Sequence, residues 1–161
     1  MLLLYPIDPR TFRRTCSKFA TGVTIVTLTG SDGLPHGMTV NSFTSVSVSP
    51  PLVLVCVDHS SNLLAHFRAA THYGVNVLSK TQQELSNRFA SRGLDRFSDQ
   101  CWEKGASSVP LLTGSLAHME CEIRNTVTAG DHDIFIAEVM RVHTADAKPL
   151  LFFDGGYQDL A

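Results

Sequence analysis

Residues 37–57 read GMTVNSFTSVSVSPPLVLVCV: small polar side chains, alternating Ser and Val, a Pro-Pro pair, then a continuous apolar run. The run from Leu52 to Val57, rich in Val and free of charge, predicts a strand buried on both faces. What precedes the stretch sets its context. VTIVTLTG (23–30) alternates β-branched residues, SDG is a turn signal, and LPHGMTV resumes an extended segment, the pattern of a hairpin. The stretch is therefore the far end of a hairpin running into a buried strand. Six hydroxyls and an amide at that junction need an explanation beyond packing.

Working outward, PRTFRRTCSKFATG (9–22) spaces Phe12, Cys16, Phe19 and Ala20 for a short helix that stops at Gly22. SSNLLAHFRAA offers Ser or Asn caps to a second short helix, and YGVNVLS is a strand. TQQELSNRFAS sets Thr81 and Glu84 at capping-box spacing, with Leu85 and Phe89 on one face of a third helix. Residues 93–110 are polar and turn-rich, with Trp102 expected to anchor that loop on the core. SLAHMECEIRNTV alternates Ala117, Met119, Cys121 and Ile123 against His118, Glu120 and Glu122, as a half-exposed strand does. AGDHD turns the chain into the return strand IFIAEVMRVHT, and PLLFFDGGY is a last extended piece. Six or seven antiparallel strands with a few short flanking helices predict a mainly β fold, a barrel or sandwich rather than a parallel α/β sheet.

Composition narrows the functional classes. The 161 residues are 43% hydrophobic and 17% charged, which suits one globular domain over residues 1–161. A net charge of −2 with dispersed Lys and Arg argues against a nucleic-acid partner. Cys16, Cys56, Cys101 and Cys121 form no CxxC pair and are expected to be buried free thiols in a reducing compartment. MLLLYP is too short for a secretory core and no span reaches membrane length, so a soluble cytoplasmic protein with no membrane association is expected. There is no phosphate-binding glycine loop, nucleophile elbow or HExxH, and the seven histidines lack metal-ligand spacing, so no metal is expected. Chemistry here falls to a bound organic cofactor.

A flavin needs what residues 37–57 supply. Its ring has polar edges, and its ribityl chain and phosphate want hydroxyl, amide and N–H donors. Thr39, Asn41, Ser42, Thr44, Ser45 and Ser47 are such groups, and Gly37 lets the backbone approach a planar ligand. From composition alone, an ordinary Ser/Thr-rich loop after a hairpin explains the same residues.

The order of segments adds to this. FATGVTIVT, GMTVNSFTSVSVSPPLVLVCV, YGVNVLS with LSNRFAS, LTGSLAHMECEI, GDHDIFIAEV and PLLFFDGGY, across residues 12–157, resemble the flavin reductase family with the FMN-binding split-barrel fold. The resemblance implies a split β-barrel, Greek-key-like, that reduces FMN or FAD with NADH or NADPH. It also implies a homodimer that hands reduced flavin to a flavin-dependent monooxygenase component. By position it implies that Thr39, Val40, Asn41 and Ser42 line the ring and ribityl part, with Ser47 nearby. It likewise implies that Cys56, Val57 and Asp58 form a second flavin segment, that Ser61 and Asn62 meet the phosphate at a helix N-terminus, and that Phe89 and Ala90 border the flavin. The resemblance also implies that His132 and Tyr157 shape the nicotinamide side, with no residue cast as an acid or base.

Each position has a plainer reading: Cys56, Val57 and Phe89 as core, His132 as a turn residue, Tyr157 as an aromatic cap. The sequence departs from the family's pattern at Ala137, where many members carry Gly, and it ends four residues after Tyr157, which leaves the cover over the cofactor unspecified. A non-enzymatic flavin or haem-binding protein on the same scaffold is the alternative function. An oxidase for a small phosphorylated substrate is disfavoured by the absence of a basic cluster in residues 37–57.

Overall fold

Strand β2 (Thr24–Thr29) turns back into β3 (Pro35–Val40), Thr24 facing Val40 and Thr29 facing Pro35, as the alternation predicts. The turn needs a left-handed residue and has one in Gly33, at φ 76°. The structure is a computed structural model that describes residues 6–93, 95–98 and 102–160; Cys101 lies outside them. Short β1 (Thr21–Gly22) precedes the hairpin, and β4 (Thr44–Val48) and β5 (Pro51–Asp58) follow it. Then come β6 (His72–Val77), β7 (Trp102–Lys104), β8 (Pro110–Leu112), β9 (Ala117–Ala129), β10 (His132–Thr144), β11 (Leu151–Phe153) and β12 (Gly156–Gln158). Three helices intervene: α1 (Pro9–Cys16), α2 (Leu64–Ala69) and α3 (Gln83–Ala90), the last entered through a 3₁₀ turn, Lys80–Gln82. No helix among the described residues is long and apolar enough to cross a membrane.

Seven strands form one antiparallel sheet in the order β3-β2-β6-β9-β10-β5-β4. Its two edges, β3 and β4, are consecutive in the chain and joined only by residues 41–43. Four Cα steps reach roughly 14 Å at most, whereas six strand spacings in a flat sheet would hold the edges roughly 29 Å apart. The sheet must curl until its edges nearly meet without pairing, which is a barrel split along one seam. Ser42 closes the foot of that seam: its Oγ accepts from the Cys56 N–H and donates to the Cys56 carbonyl, each at 3.1 Å.

The barrel is filled by Val26, Val53, Val55, Val57, Tyr73, Val75, Cys121 and Phe135, with Phe67 of α2 closing it. A second cluster, Val23, Ile25, Leu78, Phe89, Leu112 and Leu150, lies where α3 packs on β3 and β2. Ala137 is fully buried in the first cluster, beside a β-bulge.

Several sequence expectations change. β5 buries only Val53, Val55 and Val57, while Leu52, Leu54 and Cys56 are half-exposed on its outer face, because a single curled layer has an inside and an outside. The capping box belongs to Ser79 and Gln82, two residues upstream of Thr81 and Glu84, with the Gln82 side-chain Oε1 accepting from the Ser79 N–H at 3.0 Å. No side chain caps α2 directly; Ser61 Oγ accepts from the Leu63 N–H one step earlier, at 3.3 Å. Helix α1 ends at Cys16 and buries nothing, leaving Phe12, Cys16 and Phe19 exposed, so Cys16 is not a buried thiol. Glu120 is buried rather than solvated, because it accepts from the Ser107 N–H at 2.6 Å and so secures the β7–β8 loop. Trp102 is an outer packing residue, edge-on to Phe97 at 5.8 Å.

Candidate functional site

The end of β3, helix α3 and the β11–β12 hairpin meet at one place. Gly37 is the reason α3 can sit there. A Cβ on it would fall 2.9 Å from the Phe89 ring and 3.0 Å from the Val26 carbonyl oxygen, so the space is filled by Phe89 and not by a ligand. This corrects the sequence reading of Gly37. Thr39 then fastens strand to helix, donating from Oγ1 to the Ser86 carbonyl at 2.6 Å. The β11–β12 turn takes left-handed Asp154 (φ 50°) and Gly155 (φ 81°), the geometry of a tight two-residue hairpin. It swings Tyr157 onto α3, where the phenol can donate to Ser86 Oγ at 2.8 Å or Asn87 Oδ1 at 3.0 Å.

Two adjoining cavities result. One, of about 220 Å³, has an apolar floor of Val23, Val40 and Phe152 and a polar edge of Thr39, Asn41, Ser86 and Tyr157. The other, of about 250 Å³, is walled by Met38, Thr39, Leu63, Phe89 and Ala90, and carries Asp58, Ser60, Ser61, Asn62, Arg92 and Arg96. Thr39 and Ala90 belong to both, so the two adjoin along β3.

Charge at the second cavity comes from the arginines more than from α2. That helix is six residues long, and the turn before it already uses the N–H of Ser60 on Asp58 Oδ1, of Ser61 on the Asp58 carbonyl, and of Leu63 on Ser61 Oγ. Arg96 is partly buried and held by the carbonyls of Gly37 and Ser91, and burial lowers its pKa. Arg92 is exposed and has no side-chain partner among the described residues. Asp58 opposes them; the hydrogen bond from the Ser60 backbone holds its carboxyl below the usual range.

The predicted site residues separate into groups. Thr39, Val40, Asn41, Ala90 and Tyr157 share the first cavity, and Thr39, Asp58, Ser61, Asn62, Phe89 and Ala90 share the second. Ser42, Ser47, Cys56 and Val57 line neither. Ser42 is committed to Cys56, Ser47 lies along β4 opposite Leu52, and Val57 points into the core, so only its backbone is available. Burial raises the Cys56 thiol pKa. His132 sits at the start of β10 opposite Asp58, bound to Asp131 Oδ1 at 2.7 Å, and lines neither cavity. The ligand atoms of Asp58, Asp131 and His132 lie within 4.8 Å of one another at the surface.

Arg92, Arg96 and Ser86 escaped the sequence reading. Both arginines stand in SRGLDR, directly after the RFA element, and that adjacency was the available signal. They look dispersed in sequence because only the return of the loop over β3 brings them to the Ser60–Asn62 turn.

An apolar floor with polar edges suits an isoalloxazine, and a cationic, hydroxyl-lined continuation suits a phosphate joined to it by a ribityl chain. The residues present fit a flavin mononucleotide unit. Comparison with known proteins agrees. Residues 16–161 match the model of the flavin reductase like domain. An FMN reductase (NADH) of Agrobacterium fabrum is 45% identical over 150 residues, covering 93% of this chain and 85% of that protein. The NADH:FAD oxidoreductase of Streptomyces globisporus superposes with a TM-score of 0.92 at 40% identity, covering 100% of this chain and 98% of that one. The chain spans only 48% of a longer relative, a probable flavin reductase of Rhizobium meliloti that is 41% identical over 150 residues.

Proposed function

We propose a function that proceeds from one fact: this chain belongs to the flavin reductase-like family. It is an NAD(P)H-dependent oxidoreductase whose acceptor is FMN or FAD and whose donor is NADH or NADPH. The observation that carries the reading is the pair of adjoining cavities along β3, apolar with polar edges at one end and cationic at the other. A non-enzymatic flavin or haem carrier, the other reading of the sequence, is not favoured, since the relatives are named as reductases.

A bound flavin would supply the redox chemistry, as acceptor of the reducing equivalents of the nicotinamide. The protein's part is to place and hold. Val23, Val40 and Phe152 present an apolar surface to the ring, and Thr39 and Asn41 stand at its polar edge. Ser61, Asn62, Arg92 and Arg96 take the phosphate, while Phe89 and Ala90 border the chain between. Ser42 holds the strand ends at the seam, so that Ser47, Cys56 and the Val57 backbone offer contacts from the outer side of β4 and β5. Tyr157 and His132 orient the nicotinamide; neither is asked to move a proton in the hydride step, which explains a site without a catalytic dyad.

Relatives named as reductase subunits of flavin-dependent monooxygenases, among them one from Rhodococcus jostii at 40% identity over 152 residues, point to a monooxygenase component as the consumer of the reduced flavin. We assign the chain to the cytoplasm, where its free thiols Cys16, Cys56 and Cys121 stay reduced, and to a homodimer. The test is oxidation of NADH and of NADPH with FMN, FAD and riboflavin as separate acceptors. Flavin-dependent oxidation of at least one nucleotide is expected. No flavin-stimulated turnover with either donor would overturn the function.

A further inference from the structure

Strand β12 is tied to the rest of the molecule by few bonds. Its ladder runs only to β11, and β11 reaches β1 through two residue pairs, Thr21 with Phe152 and Gly22 with Leu151. Among the described residues no backbone bond runs from β12 to the seven-stranded sheet or to α3. What fastens it to α3 is the Tyr157 side chain, edge-on to Phe152 at 5.5 Å, whose phenol donates to Ser86 Oγ at 2.8 Å or Asn87 Oδ1 at 3.0 Å. The two acceptors are unequal. Asn87 is exposed, so water competes for its amide, whereas Ser86 is 0% exposed and its hydroxyl has no other partner among the described residues. An alanine would suit the helix interior better and bury no polar atom, so the helix by itself gives no reason for this hydroxyl. The carbonyl of the same residue accepts from Thr39 Oγ1 of β3 at 2.6 Å. Two walls of the ring cavity, Thr39 and Tyr157, are therefore fastened to one buried residue.

Resting on the flavin reading above, we propose that Ser86 is a positioning residue for the nicotinamide, acting through Tyr157. A ligand in the ring cavity does not reach its fully buried Oγ and meets the Tyr157 ring instead. With the Ser86 bond in place the ring is held both by Phe152 at its edge and by α3 at its hydroxyl. Without that bond the phenol keeps only a contact that water can replace, and β12, joined to the body through β11, is free to shift. The Thr39 bond is made to the backbone carbonyl, so a change of the Ser86 side chain leaves the β3 wall and its flavin contacts in place. Ser86 thus sets the donor side of the cavity independently of the acceptor side.

The test is a double-mutant cycle of Ser86→Ala, Tyr157→Phe and the pair together, with Asn87→Ala as the control. It is read as kcat/KM for NADH with FMN as acceptor, beside the FMN dissociation constant by flavin fluorescence and the unfolding temperature of the apo-protein. Ser86→Ala and Tyr157→Phe are each expected to lower kcat/KM for NADH about two- to tenfold, as loss of one hydrogen bond does, with FMN affinity unchanged. The pair is expected to be no worse than Tyr157→Phe alone, because both changes remove the same bond, and Asn87→Ala to keep the parent value. If Ser86→Ala does not fold, Tyr157→Phe set against Asn87→Ala answers the same question. Losses that multiply in the pair, an FMN affinity that falls as far as kcat/KM for NADH, or a lowered unfolding temperature with kcat/KM unchanged would each overturn the inference alone. Parent protein that reduces no flavin would overturn the function and the inference together.

Discussion

Asn41 is exposed directly after β3, in the link between the two edges of the split sheet, and its side chain has no partner among the described residues. An amide in that position contributes nothing to the fold that solvent does not replace, so its value lies in what binds. Asn41→Ala should weaken flavin binding by about 0.5–1.5 kcal/mol, one hydrogen bond's worth, while the unfolding temperature of the apo-protein stays unchanged. Equal flavin affinity would put Asn41 outside the site. Thr39 is different, for its hydroxyl is already used on the Ser86 carbonyl, and nothing in a sequence of hydroxyls distinguishes the two roles. Tyr157 and His132 carry the nicotinamide assignment. Replacing either by Ala should raise the KM for NADH or lower kcat with little change in flavin affinity, as removal of an orienting contact does. Steady-state kinetics would overturn this if His132→Ala abolished turnover with both ligands still bound, since that marks an acid–base role.

At the scale of elements, the hairpins were legible because alternation and turn residues are local signals, whereas partners across the fold were not. Gly37 shows the difference: its lack of a Cβ signals a close approach, and only the packed α3 shows that the neighbour is Phe89. Gly37→Ala should therefore act on stability, costing about 1–3 kcal/mol as overpacking does, with denaturant melts of the apo-protein as the measure. An unchanged melt would mean that α3 yields freely.

Asp133 is the other element-scale joint. Its carboxylate, almost fully buried at the start of β10, receives Arg68 of α2 at 2.8 Å, His59 at 3.0 Å and Thr128 of β9 at 2.9 Å. Its neighbour His132 drew the sequence reading, but a buried carboxylate gathering three elements has no local signature. Arg68 first, then His59, hold its pKa well below the usual carboxylate range. A depressed folded pKa stabilises the fold above the unfolded value of about 3.9, and that contribution is lost as pH falls from there toward the folded value. Asp133→Asn should lower the urea midpoint near neutrality, with the gap to the parent closing below about pH 4. A gap constant across that range would refute the linkage.

The whole molecule leaves apolar surface that one chain does not cover. The outer face of β5 shows Leu52, Leu54 and Cys56 half-exposed, and β10 beyond Glu138 has left β5 and exposes Met140 and Val142. Edge strand β4 reads TSVSV with no charge on it, and Val48 is 93% exposed. Soluble proteins protect a bare edge with charge, proline or a covering partner, and the first two are lacking within β4. Exposed Phe12 and Phe19 of the α1 region add to the uncovered surface. A second copy of this chain would satisfy these faces and would bring the outer side of β4 and β5, where Ser47 and Cys56 lie outside the two cavities of a single chain, against another subunit. Light scattering of the parent at micromolar concentration should give twice the chain mass. Val48→Lys, which sets a charge on the bare edge, should raise the dimer dissociation constant while unfolding stays cooperative. A parent protein that scatters as a monomer would leave the edge unexplained and refute the dimer.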